Sequence, residues 1–230
     1  MGVTKLPELV IKTSSDLYNS FNENSFSINL KPKEVEDSIK KLNFAFMFAP
    51  NYHSAMKYVG PARKQMGKKT IFNLIGPLSS PAQVKRQVIG VFDKKWMRPF
   101  AEALKENNVV HAYIVNSDDG MDEISPFAKT NVVELKDKSI NEFTIDPKKL
   151  NINSNDKESL KGKNAAYNSE KIIEIFKGKI NGFSQSVALN VAAGLIVSGQ
   201  ENDFKKAYIS ASKHLSTGKV FEHLNKIRSA

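Results

Sequence analysis

Four carboxylates crowd one short stretch of the chain: Asp118 and Asp119, then Gly120 and Met121, then Asp122 and Glu123. Carboxylates this close repel one another unless a cation or solvent screens them. The chain has no cysteine and the stretch has no histidine, so its oxygens suit a hard ion such as Mg²⁺, often shared with a substrate phosphate. The spacing is not that of an EF-hand, which needs a bidentate Glu at its twelfth position. An acidic surface turn would give the same run of residues. A second place for chemistry follows Phe48, where His53, Lys57 and Arg63 occur together. Arg63 can grip a carboxylate through two parallel hydrogen bonds, or make a surface ion pair. His53, ahead of a helix-like stretch, reads as a cap, a packing residue or a site group. A third place is Asn73 to Pro81, where Gly76 precedes Pro77. Glycine allows close backbone approach to a ligand, and also simply allows a turn.

Other chemistries are missing from the sequence. Neither GxxxxGK[ST] nor GxGxxG occurs. The absence of cysteine excludes disulfides, thiolate zinc sites and cysteine nucleophiles. No Ser-His-Asp triad can be read from spacing, and His111, His214 and His223 fall in one strand and two helices, where they read as structural.

The elements that must position these groups follow from periodicity. Pro32 opens a helix with Val35, Ile39 and Leu42 on one face. Phe44 to Phe48 reads as a buried strand closed by Pro50. The two prolines of Thr70 to Pro81 make its second half a loop. Gln87 to Phe92 is a buried strand, Trp96 to Asn107 a helix with Met97, Phe100 and Leu104 on one face, and Val109 to Val115 a further strand. Strand, helix, strand is the βαβ order of a parallel sheet. Val132 to Leu135 and Glu142 to Ile145 are two more strands joined by a polar turn. Residues 151–163 form a solvated linker, and the rest is helical, with Val187 to Val197 apolar nearly all round and therefore buried. The expected class is α/β, a largely parallel central sheet flanked by helices. Ligands in such sheets bind beyond the carboxyl ends of the strands, which points to the three loops above.

At 230 residues the chain is one large domain or two small ones. Its 40% apolar and 25% charged residues exclude wholesale disorder. No run is long and apolar enough to span a membrane, and no signal-peptide core opens the chain, so a cytoplasmic location is expected. The net charge of +10 comes almost wholly from lysine, with only four arginines among 34 basic residues. Nucleic-acid binders favour arginine forks, so an ordinary lysine-rich soluble surface is expected, a field that attracts anionic small molecules being the alternative, with neither a nucleic-acid nor a membrane partner.

Taken together, the three loops resemble anthranilate phosphoribosyltransferase. The resemblance is carried by Phe46-Met47-Phe48-Ala49-Pro50-Asn51-Tyr52-His53-Ser54-Ala55-Met56-Lys57, by Val59-Gly60-Pro61-Ala62-Arg63, and by Thr70 to Leu78. It continues in Asp119-Gly120-Met121-Asp122-Glu123, close to the family's DGLDE, and in Leu189-Asn190-Val191-Ala192-Ala193. It covers residues 26–228. The family transfers a phosphoribosyl group from phosphoribosyl pyrophosphate (PRPP) to the amine of anthranilate. The resemblance implies that Arg63 binds the anthranilate carboxylate and that His53, Gly76 and Pro77 line the same pocket. Asp122 and Glu123 would hold Mg²⁺ on the pyrophosphate. The Ser14-Ser15-Asp16 run is similar to the family's S-A-D and implies Ser14 against PRPP.

The sequence also departs from that family. Its members begin with a helical domain that forms the dimer contact, followed by a GTGGD phosphate loop and a lysine-histidine-glycine-asparagine segment, and none of these occurs in the 230 residues. The expectation is a remnant over residues 1–25 and a phosphoribosyltransferase α/β domain over 26–230, with the N-terminal helical domain and dimer contact absent. Such a piece would have little activity alone. The alternatives are a split enzyme completed by a missing N-terminal domain in trans, and a non-catalytic small-molecule-binding or regulatory protein on the same fold.

Overall fold

A computed structural model describes residues 29–52, 58, 65, 72–154, 157–229. The chain divides into two compact units. The described residues of 82–161 and 174–220 form a sheet-based unit, and those of 29–81, 162–173 and 221–229 a helical one. In chain order the helices are α1 (Pro32–Leu42), α2 (Ala49–Tyr52), α3 (Phe72–Leu78), α4 (Met97–Glu106), α5 (Ala165–Phe176), α6 (Gly182–Ser198), α7 (Phe204–Ser216) and α8 (Lys219–Arg228). The strands are β1 (Arg86–Gly90), β2 (His111–Ser117), β3 (Thr130–Lys136) and β4 (Ser139–Ile145). Among the described residues, no helix is long and apolar enough to cross a membrane.

The sheet-based unit is a four-stranded sheet in the order β1-β2-β3-β4, flanked by helices. The α/β class is therefore as expected, but the description "largely parallel" holds only for β1–β2. The β2–β3 and β3–β4 ladders are antiparallel. A two-residue turn is the reason at β3–β4: Asp137 and Lys138 both take positive φ, +47° and +68°, which reverses the chain too tightly for a crossover. The crossover through α4 is what permits β1 and β2 to run parallel.

Strand β2 is buried at every one of its residues, because helices cover both faces of the sheet. On one face Tyr113, Val115, Val132 and Ile145 join Ala188, Leu189, Ala192, Ala193 and Ile196 of α6 and Ala207, Tyr208 and Ala211 of α7 in a single apolar core. On the other face α4 turns Met97, Phe100, Ala101 and Leu104 inward, spaced as one helical stripe. As its all-round apolar sequence requires, α6 is buried along its length. It starts at a reciprocal cap: Asn181 Oδ1 accepts the Ser184 N–H at 2.9 Å, and Ser184 Oγ accepts the Asn181 N–H at 2.8 Å. It ends at Gly199, whose φ of +78° costs a glycine nothing. Arg86 Nη1 donates to the Val197 carbonyl at 2.7 Å, so a β1 side chain closes the last turn.

The strand expected from Val109 begins two residues later. Val109 N–H is spent on the Leu104 carbonyl at 3.0 Å, closing α4, before the ladder opens at His111. In the helical unit, α1 starts at Pro32 as expected and buries Val35. The expected strand Phe44 to Phe48 is instead an irregular half-buried run. It is squeezed between the left-handed Asn43 that ends α1 (φ +54°) and the helical turn at Ala49. The expected loop around Gly76-Pro77 is also corrected, since both residues lie inside α3. Proline costs a helix the bond its own N–H would make, and here the helix ends one residue later. The Ser79 N–H then caps it, reaching the Ile75 carbonyl at 3.0 Å.

Candidate active site

The acidic stretch follows β2 directly, at the carboxyl end of the parallel β1–β2 pair, where open α/β sheets place ligands. It is a built loop rather than a bare turn. The Gly120 N–H donates to the Ser117 carbonyl at 2.9 Å, with Gly120 at φ +89°, and the Ser117 N–H donates to the Met121 carbonyl at 2.9 Å. Under it lies a knot of hydroxyls. Ser117 Oγ donates to the Glu123 carbonyl at 2.6 Å and lies 2.5 Å from Thr130 Oγ1. The Ser125 N–H reaches both oxygens, at 3.2 and 3.1 Å. Ser117, Ser125 and Thr130 are all buried, and buried hydroxyls must be satisfied in this way.

The four carboxylates divide into two kinds. Asp118 Oδ1 accepts from Asn131 Nδ2 at 2.8 Å, and Asp119 Oδ2 accepts from Ser125 Oγ at 2.7 Å. These two hold the loop's shape. Among the described residues, no hydrogen bond or ion pair engages the carboxylates of Asp122 and Glu123, both of which are exposed. Partial desolvation, and then the neighbouring Asp122 charge, hold the Glu123 carboxyl above the ordinary carboxylate range. A group in that condition gains from a nearby cation.

Gly90, the last residue of β1, brings the strand end against this pair. A Cβ at Gly90 would lie 1.6 Å from the Asp122 carbonyl oxygen, so only glycine lets the backbones meet. Two adjacent carboxylates on hard oxygen fit Mg²⁺, which takes one or two protein carboxylates and completes its shell with water and phosphate. Among the described residues no group of three or more acidic, His or Cys side chains is placed to hold a metal.

Of the other residues named from the sequence, Gly76 and Pro77 share one turn of α3, both half-buried. They belong to the helical unit, whereas Asp122 and Glu123 belong to the sheet-based one. Ser14, His53 and Arg63 lie outside the described residues. Gly90, Ser117, Ser125 and Thr130 did not emerge from sequence reasoning. The one signal was a glycine inside the run Gln87 to Phe92 read as a strand; the hydroxyls are scattered and carry no motif.

A four-stranded sheet covered by helices, with an acidic loop beyond the carboxyl end of its parallel pair, is an α/β domain. Residues 14–221 match the model of the glycosyl transferase family, a/b domain, and the chain belongs to that family. It is 56% identical over 216 residues to the anthranilate phosphoribosyltransferase of Pelagibacter ubique, which covers 94% of this chain and 64% of that protein. The fold is similar to the crystal structure of anthranilate phosphoribosyltransferase from Thermus thermophilus, with a TM-score of 0.82 at 28% identity, covering 94% of this chain and 63% of that one. It is also similar to the Saccharomyces cerevisiae enzyme in complex with PRPP and Mg, with a TM-score of 0.83 at 23% identity, covering 94% and 61%. The chain therefore spans about three fifths of the length of the relatives it matches.

Proposed function

We propose that this chain serves the Mg²⁺-dependent transfer of phosphoribosyl from PRPP to anthranilate. The observation that carries the reading is the division of labour in the acidic loop. Asp118 and Asp119 are consumed in holding it, and Asp122 and Glu123 are left to a ligand. The likeness to anthranilate phosphoribosyltransferases at up to 56% identity supports the substrate assignment.

In the reaction, the bond from ribose C1 to pyrophosphate breaks and a bond from the anthranilate nitrogen to C1 forms, with loss of one amine proton. Positive charge builds on the sugar and negative charge on the leaving group. Bound Mg²⁺ would stabilise the departing pyrophosphate. Asp122 and Glu123 would hold that ion, and Ser14 would touch PRPP. Arg63 would fix the anthranilate carboxylate by a two-pronged hydrogen bond, with His53, Gly76 and Pro77 lining the same pocket. The amine is already a nucleophile, so the protein's main task is to position two substrates rather than to supply a nucleophilic side chain. The net charge of +10 favours the approach of both, since each is anionic.

These 230 residues contain no GTGGD loop, so we expect little turnover from them alone. Calorimetry with anthranilate on the wild type and Arg63→Ala tests the pocket, with binding expected in the first and lost in the second. The loss of anthranilate fluorescence with PRPP and Mg²⁺, measured with and without an added N-terminal domain from a relative, tests the reaction. Neither binding nor restored turnover in that mixture would end the assignment.

A further inference from the structure

Helix α6 is apolar nearly throughout, yet carries an asparagine at its middle. Asn190 is half-buried, and an asparagine inside a helix costs stability relative to alanine unless its amide finds partners. It finds three. Asn190 Oδ1 accepts the Ile124 N–H at 3.1 Å, and Nδ2 donates to the Ile124 carbonyl at 3.3 Å and to the Ser186 carbonyl at 2.9 Å. Only this orientation of the amide satisfies all three, because two of the partners are acceptors and one is a donor. The side chain therefore pairs with the backbone of Ile124 as a neighbouring strand would.

Ile124 is the residue after the Asp122–Glu123 pair, and its own side chain is fully buried. The backbone around the pair is thus gripped from three directions: Gly90 meets Asp122, Ser117 holds the Glu123 carbonyl, and Asn190 holds both polar groups of Ile124. The first two come from the sheet, Gly90 at the end of β1 and Ser117 at the end of β2, the strand that leads into the loop. Asn190 comes from the opposite layer of the fold and is the only one of the three that ties the loop to α6. We propose that Asn190 is a positioning residue for the metal-binding carboxylates, setting their direction from the far side of the loop. This rests on the reading of Asp122 and Glu123 as Mg²⁺ ligands. Groups that orient metal ligands without touching the metal are commonly worth 10- to 100-fold in affinity.

The test is Mn²⁺ binding in the presence of inorganic pyrophosphate, followed by electron paramagnetic resonance on the full 230-residue chain. Wild type is expected to bind, and Asp122→Asn to lose binding. Asn190→Ala and the near-isosteric Asn190→Asp are both expected to weaken it about tenfold or more. Leu215→Ala, a core truncation in α7, should lower the melting temperature and leave the Mn²⁺ affinity unchanged, which separates positioning from general destabilisation. If Asp122→Asn loses the ion while both Asn190 variants stay within about twofold of wild type, the inference fails and the metal site stands. If wild type does not bind, or Asp122→Asn binds normally, the metal site fails and takes the inference with it. Should neither Asn190 variant fold, amide exchange in the wild type decides. Protection of the Ile124 N–H to the level of β2 amides supports the clamp, and exchange at the rate of an unbonded surface amide overturns it.

Discussion

The two ends of strand β2 treat charge in opposite ways. At its start, His111 is almost wholly buried and its Nε2–H donates to Glu134 Oε1 across 2.8 Å. Burial, only partly offset by Glu134, holds the His111 pKa below its ordinary value, with Lys136 and Arg86 adding to the depression. The pair is therefore a hydrogen bond between a neutral ring and a carboxylate, capped by the edge of Tyr113, whose ring centroid lies 5.7 Å away. At the other end, Asp122 and Glu123 stand exposed with no described partner, on a backbone held at several points. One end spends its polar groups on the fold. The other spends its backbone groups on the fold and keeps its charges for something else. Rigid backbone with uncommitted carboxylates is what a binding site needs, because the geometry is set before the ligand arrives.

Gly90→Ala breaks this comparison most severely. The added carbon cannot coexist with the Asp122 carbonyl, so the loop must shift. We expect Mn²⁺–pyrophosphate affinity to fall by about 100-fold and the melting temperature to drop by several degrees. Native affinity in this variant would show that the loop's placement against β1 does not matter.

Asp122→Asn and Glu123→Gln come next, because they leave the fold intact: each removes a carboxylate proposed to touch the ion, and titrations with the same probe are expected to show its binding lost. Their stability should move the other way. The Glu123 pKa is raised in the fold, so the charged carboxyl is a cost that is absent below the unfolded value and sets in as pH rises through the folded one. Glu123→Gln removes that cost and should melt slightly higher than wild type at pH 7, with the advantage gone at pH 4. A lower melting temperature at pH 7 would contradict the assignment of this end as uncommitted.

Glu134→Ala tests the opposite end. It leaves the buried His111 N–H unpaired, at about 1–3 kcal/mol, which calorimetry should register as a lower melting temperature. Metal affinity should not change, and a loss of affinity here would erase the contrast between the two ends. The smallest effect expected is on pH dependence. A depressed histidine contributes stability that is present above the unfolded pKa of about 6.5 and is lost as pH falls below it, because only the unfolded chain then takes up the proton. His111→Gln should flatten the stability curve just below pH 6.5, and an unchanged slope there would show that the buried ring does not titrate as its setting requires.

Much of this was legible in the sequence. The apolar run into Val115 and the four clustered carboxylates located both β2 and its loop, and the unbroken apolar stretch from Val187 located the buried helix. Short apolar runs misled. Phe44 to Phe48 has strand chemistry, but neighbouring helix ends leave it no room to extend. Gly76-Pro77 carries loop signals, yet the chain stays helical through both, giving up the one intrahelical bond that Pro77 cannot make and ending one residue later. The antiparallel β3–β4 pair was legible in the short polar turn that joins it, whereas the direction of β3 against β2 was not, because apolar content does not set it. Within the site, sequence named the carboxylates but could not sort them. That Asp118 and Asp119 are spoken for depends on how Asn131 and the loop's own Ser125 are turned towards them, and the clamp on Ile124 comes from Asn190, which only the fold brings to the loop.

Arg86 in β1 bonds the carbonyl of Val197, more than a hundred positions away along the chain. Among the described residues, the sheet face bearing Val88, Tyr113 and Val115 is covered by α6 and α7, which are synthesised after it. At about 5–20 residues per second on the ribosome, that face waits for several seconds after β2 emerges. The nascent chain should therefore be a client for chaperones that shield greasy surfaces, and premature release before Ser198 should leave a product that sticks to itself.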